Sequence, residues 1–408
     1  MSSKALKFFA AGLAALTAIA SLIASGPASA QVSGDVVKIG ILNDQSGLYS
    51  DLAGVGSVEA ARLAIEEFGG QVLGKKIELV WADHQNKADI GAGIARAWFD
   101  KDGVDAIADF SNSSVGFAVQ ALANERKKIT LITAASSDFT GKACTPLSTQ
   151  WVYNSYSNGY GLARLMTQRG LDSVYLLTVD YAFGHAFAND VRKAVTDNGG
   201  KVVGELRFPL NSSDLSSYLL QGQASKAKLI VAASAGSDMT SIVKQATEFG
   251  ITPKQALAAP SVFLTDVHSM GLQAAQGLQF LTAFYWDRTP ASRAWSEKFF
   301  ARRKAMPTMT QAGVYSAVRH YLKAIEAART DDAAAVANTM RELPIKDMNI
   351  ENGRVREDGQ VMHDMYLVEV KKPAESKRAW DYYKVVATVP AEQAFQPLAT
   401  SACPLVKK

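Results

Sequence analysis

Small polar side chains collect at six places in this chain: 43–47, 109–114, 134–138, 180–184, 233–238 and 260–263. The stretch "DAIADFSNSS" (105–114) shows the pattern. Ala106, Ile107 and Ala108 form an apolar run, and Ser111, Asn112, Ser113 and Ser114 follow it, just before Val115, Val119 and Leu122 fall at helical spacing. Hydroxyls at a helix start, beside unpaired backbone N–H groups and the positive end of the dipole, suit the binding of an anion. A single serine there is read as an N-cap. Six such clusters, three in each half, predict a cleft lined with small hydroxyls and aromatic rings.

Signals for other chemistry are weak. "SKAK" (225–228) has a Ser-x-x-Lys spacing, but it lies in a lysine-rich stretch between a helix and a strand. "GVGSVE" (54–59) lacks the third glycine of a dinucleotide loop and stands too far from its strand end. His84, His185, His268, His320 and His363 are scattered, with no pair at metal-ligand spacing. The expectation is a protein that is not an enzyme, with no cofactor and no metal.

The elements that must position the clusters alternate. "VVKIGILN", "KKIELVWAD", "DAIAD" and "KITLIT" read as strands; "GSVEAARLAIEEFGG" and "ADIGAGIARAWFDKDG" read as helices between them, the first stopped by Gly69-Gly70. The alternation restarts with "SVYLLTV", "KVVGELRF", "AKLIVAA", "QALAA" and "GLQFLTAFYW". Strand, polar loop and helix in repetition predict an α/β fold of two doubly wound parallel-sheet lobes. Ligands of such sheets sit beyond the carboxyl ends of the strands, where connections diverge to opposite faces. All six clusters fall there. Late in the chain, two long helices and a hairpin with turns at Asn352-Gly353 and Asp358-Gly359 need a sheet to join.

Residues 1–30 carry Lys4 and Lys7, an apolar stretch, and Ala28-Ser29-Ala30, the pattern of a cleaved export signal. No later segment offers ~18 unbroken apolar residues, so a soluble exported protein is expected. Removing Lys4 and Lys7 from the 43 basic residues leaves 41 against 39 acidic ones. This near-neutral balance, with no sustained basic run, argues against a nucleic-acid partner. Cys144 and Cys403 are an even pair in an oxidising compartment, and a disulfide between them would tie the C-terminal tail to a loop in the first half.

Taken in order, "VVKIGILNDQSGLYSDLAG", "VEAARLAIEEFGG", "FSNSS", "ITAASSDFTG", "VDYAFG" and "GVYSAVRHYLKAIEAA" resemble the periplasmic substrate-binding proteins of branched-chain amino-acid type ABC transporters. The resemblance implies a type I periplasmic-binding fold with three hinge crossovers, near Tyr156, Phe284 and Gln360. The first lobe would take 35–155 with 285–360, the second 156–284 with 361–395, and 396–408 would form a tail. It also implies a periplasmic monomer that closes on a small carboxylate and delivers it to a membrane permease. A receptor sensor domain shares this fold but would need a membrane span after it, and none is seen before Lys408.

The resemblance further implies which residues hold ligand. Ser113 matches the serine that holds the carboxylate in amino-acid binders, and Ala134-Ala135-Ser136 matches their Ala-Ala-Thr turn. Where those binders place a glutamate for the ligand ammonium, this chain has Ser261, after Pro260. Phe183 stands at their tyrosine, with Tyr181 two positions earlier, and Ala235 and Gly236 replace a ring. A site with its carboxylate end kept and its ammonium partner lost should take a bulkier acid without an amine, such as a benzoate or a phenylpropenoid acid. Asp109, Asp138 or Asp180 could replace the glutamate, which leaves a hydrophobic amino acid as the alternative. Asn112, Phe110 and Tyr156 complete the expected site, and Tyr49, Tyr160, Phe263 and Tyr285 are further rings near the crevice.

Overall fold

The computed structural model describes residues 32–252 and 254–407; the export signal expected at 1–30 lies outside the described residues. Val36–Asn43 (β1), Gln71–Val72 (β2), Lys75–Asp83 (β3), Ala106–Asp109 (β4), Ile129–Ile132 (β5) and Ser148–Gln150 (β6) build one sheet. Its order is β2-β3-β1-β4-β5-β6, parallel except for the β2/β3 hairpin. β4 and β5 are buried along their whole length, as expected of parallel strands covered on both faces. The helix Gly54–Phe68 ends where Gly69 takes a left-handed φ of 105°.

Ser173–Val179 (β7), Lys201–Phe208 (β8), Leu229–Ala233 (β9) and Ala256–Ala258 (β10) form a second parallel sheet, ordered β10-β9-β7-β8. Two doubly wound lobes are therefore present. In the first, chain order reverses at β1/β4; in the second, at β7/β9.

Gln279–Thr282 (β11) does not extend the second parallel sheet, where sequence reading placed it. After the small hairpin of Arg354–Val355 (β12) and Val361–Met362 (β13), Met365–Val370 (β14) pairs antiparallel with β11, and Tyr383–Val389 (β15) pairs antiparallel with β14. The reason is directional. β11 leads out toward the first lobe and β14 leads back from it, so adjacent strands must run oppositely.

Between β11 and β14 the chain packs on the first lobe. In the helix Pro290–Arg303, Arg302 pairs with Glu59 (2.8 Å) and Glu66 (2.7 Å), and Lys298 with Glu67 (2.8 Å), all on the helix Gly54–Phe68. In the helix Met309–Ala328, Tyr315 donates to Glu67 at 2.5 Å. The strand crossings are stitched together: Asn154 donates to the Gln360 side chain at 2.7 Å, and Asn158 to the carbonyls of Pro260 (3.1 Å) and Leu281 (3.2 Å). Cys144 and Cys403 are joined, with Cα atoms 5.6 Å apart, and the bridge packs with Val406 and Leu398.

Candidate binding site between the lobes

The exit of β4 answers why polar residues stand there. Asp109, Phe110 and Ser111 take φ values of 86°, 78° and 31°, three non-glycine residues in the left-handed region in succession. Such backbone persists only where its surroundings fix it. Here the Asp109 carboxylate accepts from Asn43 (2.8 Å) and from Thr133, the Phe110 carbonyl accepts from His84 Nε2 (2.8 Å), and Ser111 Oγ accepts from the Asp44 amide (3.1 Å). Asn112 then caps the helix Ser113–Glu125, its side chain accepting from the amides of Ser114 (2.9 Å) and Val115 (3.2 Å). Ser113 Oγ is left to face the β5 exit, where it accepts from the Ser136 amide at 3.2 Å.

This exit meets those of the other strands at a small cavity between the lobes. Its lining is Tyr49 and Leu52 after β1, Ser111 and Ser113 after β4, Ala135 after β5, Tyr153 after β6, Tyr181 and Phe183 after β7, and Ala235 after β9. The site thus lies at the switch points of both sheets, where strand ends diverge and leave a crevice. The cavity volume is about 10 Å³, room for about one water. The lobes are together in this conformation. Tyr49 and Tyr181 meet hydroxyl to hydroxyl at 2.6 Å, and Ser137 Oγ donates across the cleft to Asp190 at 2.9 Å.

A wider groove of about 760 Å³ runs along the outer side of the same cleft, between the helices Ser113–Glu125 and Ala182–Asp197. It is lined by the flanks of these helices and by the segment 138–145, and carries Asp138, Lys142 and His185. Only the β5 and β7 exits reach it, through Asp138 and Ala182, whereas the exits of β1, β4, β5, β6, β7 and β9 all converge on the small interlobe cavity, the better candidate for a specific site.

Among the described residues, no charged side chain lines the small cavity. Burial raises the phenols of Tyr49, Tyr153 and Tyr181 above their ordinary range, so they stay protonated and can donate. The three aspartates considered as ammonium partners are engaged elsewhere. Asp109 is held as described, Asp138 pairs with Lys142 at 2.9 Å, and Asp180 with His185 at 2.7 Å. Two further buried carboxyls are Asp238, pushed up to about 6, and Asp266, pushed up to about 7, both by burial. Asp238 accepts from the Asn211 amide and Asp266 from the Phe263 amide, each at 2.9 Å. Among the described residues, no three His, Cys, Asp or Glu side chains converge as a metal site.

Of the residues expected from sequence, Ser113, Ala135, Tyr181, Phe183, Ala235 and, among the further rings, Tyr49 line the cavity. Ser136 is buried, and its hydroxyl accepts from the Asp138 amide at 3.4 Å, while its own amide reaches Ser113. The Ala134 carbonyl accepts from Gln150 at 2.8 Å. The Phe110 ring is fully buried in the first lobe's core, and Tyr156 stacks on Tyr160 with ring centroids 4.5 Å apart. Asn112 serves as the helix cap. Ser261 is fully buried, without charge, and is not among the lining residues. The space expected over Gly236 is filled from the other lobe, by the Leu48 carbonyl and the Tyr49 ring.

Sequence reading missed Leu52 and Tyr153. Tyr153 follows β6, whose sequence Ser-Thr-Gln has no apolar run to mark a strand. Its ring meets Phe263 of the second lobe edge-on at 5.9 Å.

Two lobes of parallel sheet around a switch-point crevice define a type I periplasmic-binding fold. Residues 36–377 match the family model described as "Periplasmic binding protein", and the chain belongs to that family. A periplasmic binding protein from Burkholderia mallei is 45% identical, with a TM-score of 0.89 over 91% of this chain and 100% of that one. A branched-chain amino acid ABC transporter periplasmic ligand-binding protein from Burkholderia xenovorans LB400 is 42% identical, with a TM-score of 0.81 over 91% and 100%. The Leu/Ile/Val-binding protein homolog 6 of Brucella melitensis is 25% identical, over 88% of this chain and 93% of its own length.

Proposed function

We propose that this protein is the exported solute-binding component of an ABC importer, that it closes its lobes on a small aromatic carboxylate, and that it presents the closed form to a membrane permease. The observation that carries the ligand class is the cavity lining: rings and neutral hydroxyls, with no charged side chain. An amino acid would bring an ammonium group into this lining, and an isolated buried charge costs several kcal/mol. A carboxylate is better served, because hydroxyls and amides such as Ser113 Oγ and the Ser136 N–H can turn to it. Flat rings of Tyr49, Tyr153, Tyr181 and Phe183 suit a planar ligand. A Rhodopseudomonas palustris solute-binding protein of the same fold, 20% identical, is in complex with 4-hydroxybenzoate; at that identity the likeness supports the fold alone. Export by a signal at 1–30, the lobe division at 155/156, 284/285 and 360/361, a monomeric state and the absence of turnover belong to the same reading.

A second reading is a hydrophobic amino acid held through Asp266. This carboxyl is buried, accepts from the Phe263 amide, and lies close enough to raise the pKa of Tyr153. The test is a thermal-shift screen of benzoates, phenylpropenoid acids, leucine and valine. A ligand at 100 times its dissociation constant adds ~2.7 kcal/mol to stability. Aromatic acids should raise the melting temperature; a shift with leucine or valine and none with any aromatic acid would reverse the assignment. Asp266→Asn should then abolish amino-acid binding while sparing an aromatic acid.

A further inference from the structure

The first lobe touches the second at the start of the helix Gly236–Glu248. Gly236 has a φ of 62°, and a Cβ placed on it would stand 2.4 Å from the Leu48 carbonyl oxygen and 2.9 Å from Cδ1 of the Tyr49 ring. The Ser237 N–H points at the same Leu48 carbonyl, at 3.4 Å. Leu48 and Tyr49 follow β1 in the first lobe; Gly236 and Ser237 follow β9 in the second. The contact therefore exists only while the lobes are together.

Its chemistry is that of a cap made in trans. A helix start leaves its first N–H groups without intrahelical partners, and a carbonyl oxygen brought to that end meets both the free N–H and the positive end of the dipole. The approach is possible because residue 236 has no side chain. One residue along, the Tyr49 hydroxyl reaches Tyr181 at 2.6 Å, so the same turn makes both contacts.

We infer that Gly236 is a positioning residue for lobe closure: its missing Cβ lets the Leu48 carbonyl seat on the helix start, and so it sets ligand affinity although it does not line the ligand cavity. This rests on the reading of the protein as a lobe-closing binder and adds to it a residue that acts through the closed contact.

The test needs no ligand. In full-length protein with its native bridge intact, Leu48→Cys and Ser237→Cys should form an oxidative cross-link as the lobes meet, detected as a linked peptide by mass spectrometry. Adding Gly236→Ala should slow that cross-link at least 10-fold. Gly250→Ala is the control, since Gly250 also has a positive φ (60°) but nothing within 4 Å of its added Cβ. It should keep the parent rate and lose similar stability, because the backbone strain of alanine at a left-handed position is common to both. Equal rates with and without Gly236→Ala, or no cross-link in the parent, would overturn the inference. So would a Gly236→Ala protein that fails to fold, because the open lobes do not make the contact. A second arm titrates 4-hydroxybenzoate into the wild type and both glycine variants. If the wild type binds it, Gly236→Ala should weaken binding at least 10-fold and Gly250→Ala should not. If the wild type binds neither 4-hydroxybenzoate nor any acid of the thermal-shift screen, the functional reading fails while the cross-link still decides the role of Gly236.

Discussion

Tyr49 and Tyr181 bridge the two lobes through hydroxyls 2.6 Å apart, and both rings line the interlobe cavity. One phenol must donate and the other accept, so each is fixed in orientation by a residue from the opposite lobe. Since both stay protonated, this link should hold across the physiological range of pH.

Tyr49→Phe and Tyr181→Phe each remove that hydrogen bond and leave the ring in place. A net contribution of about 0.5–1.5 kcal/mol to the closed form corresponds to a loss of roughly 2- to 12-fold in ligand affinity. Because one bond serves both residues, the double variant should bind about as well as either single one. Calorimetric titration of the three variants checks this; additive losses would mean that each hydroxyl has an independent partner in the liganded form.

Ser113→Ala removes the hydroxyl that faces the Ser136 amide. On the carboxylate reading, affinity should fall by about 10-fold, and the melting temperature without ligand should change little. A large drop in melting temperature with unchanged affinity would make Ser113 a structural link between the β4 and β5 exits.

Asp266 gives the stability a defined pH dependence. Its carboxyl, pushed up to about 7 by burial, is raised above its ordinary value. The stability it contributes is therefore fully present below the ordinary carboxyl range and is lost as pH rises through about 7. Asp266→Asn keeps an acceptor for the Phe263 amide and abolishes the ionisation. Relative to wild type, the variant should gain about 3 °C or more in melting temperature between pH 5 and pH 8. Buried His84, His320 and His363 are shifted down and act in the opposite sense at acid pH, but they are common to both proteins and cancel in the difference. A constant difference across that range would mean that Asp266 is not protonated in the fold.

The bridge between Cys144 and Cys403 closes a loop of 259 residues in sequence separation. Chain entropy sets its stabilisation on the order of 5 kcal/mol, less any strain. Cys403→Ser should lower the melting temperature by several degrees, with ligand affinity kept. Intact-mass measurement of non-reduced wild type should find no alkylatable thiol.

The two lobes were legible in the sequence because parallel α/β units announce themselves locally: an apolar strand, a polar exit, a helix of fixed period. β4, β5 and β9 are apolar runs, and the polar residues after them mark strand ends wherever such a sheet is built. Strand-end position put the polar exits at a crevice, and the resemblance to the binding-protein family singled out Ser113, Tyr181, Phe183 and Ala235 among them. The pairing of Cys144 with Cys403 followed from there being two cysteines behind a pattern expected of an export signal.

What the sequence did not determine depends on how the lobes meet. β6 carries no apolar run, so Tyr153 had no strand to mark it. β11 reads like any buried strand, and its antiparallel pairing is decided by a β14 that returns from the other lobe some 80 residues later. The space over Gly236 looks open when only its own strand exit is considered; the Leu48 carbonyl that fills it comes from almost 190 residues earlier. Local periodicity fixes which way a side chain faces within one lobe. Contacts across the cleft are fixed by the hinge crossings, whose geometry arises from the hydrogen bonds of Asn154, Asn158 and Gln360 and has no period to read.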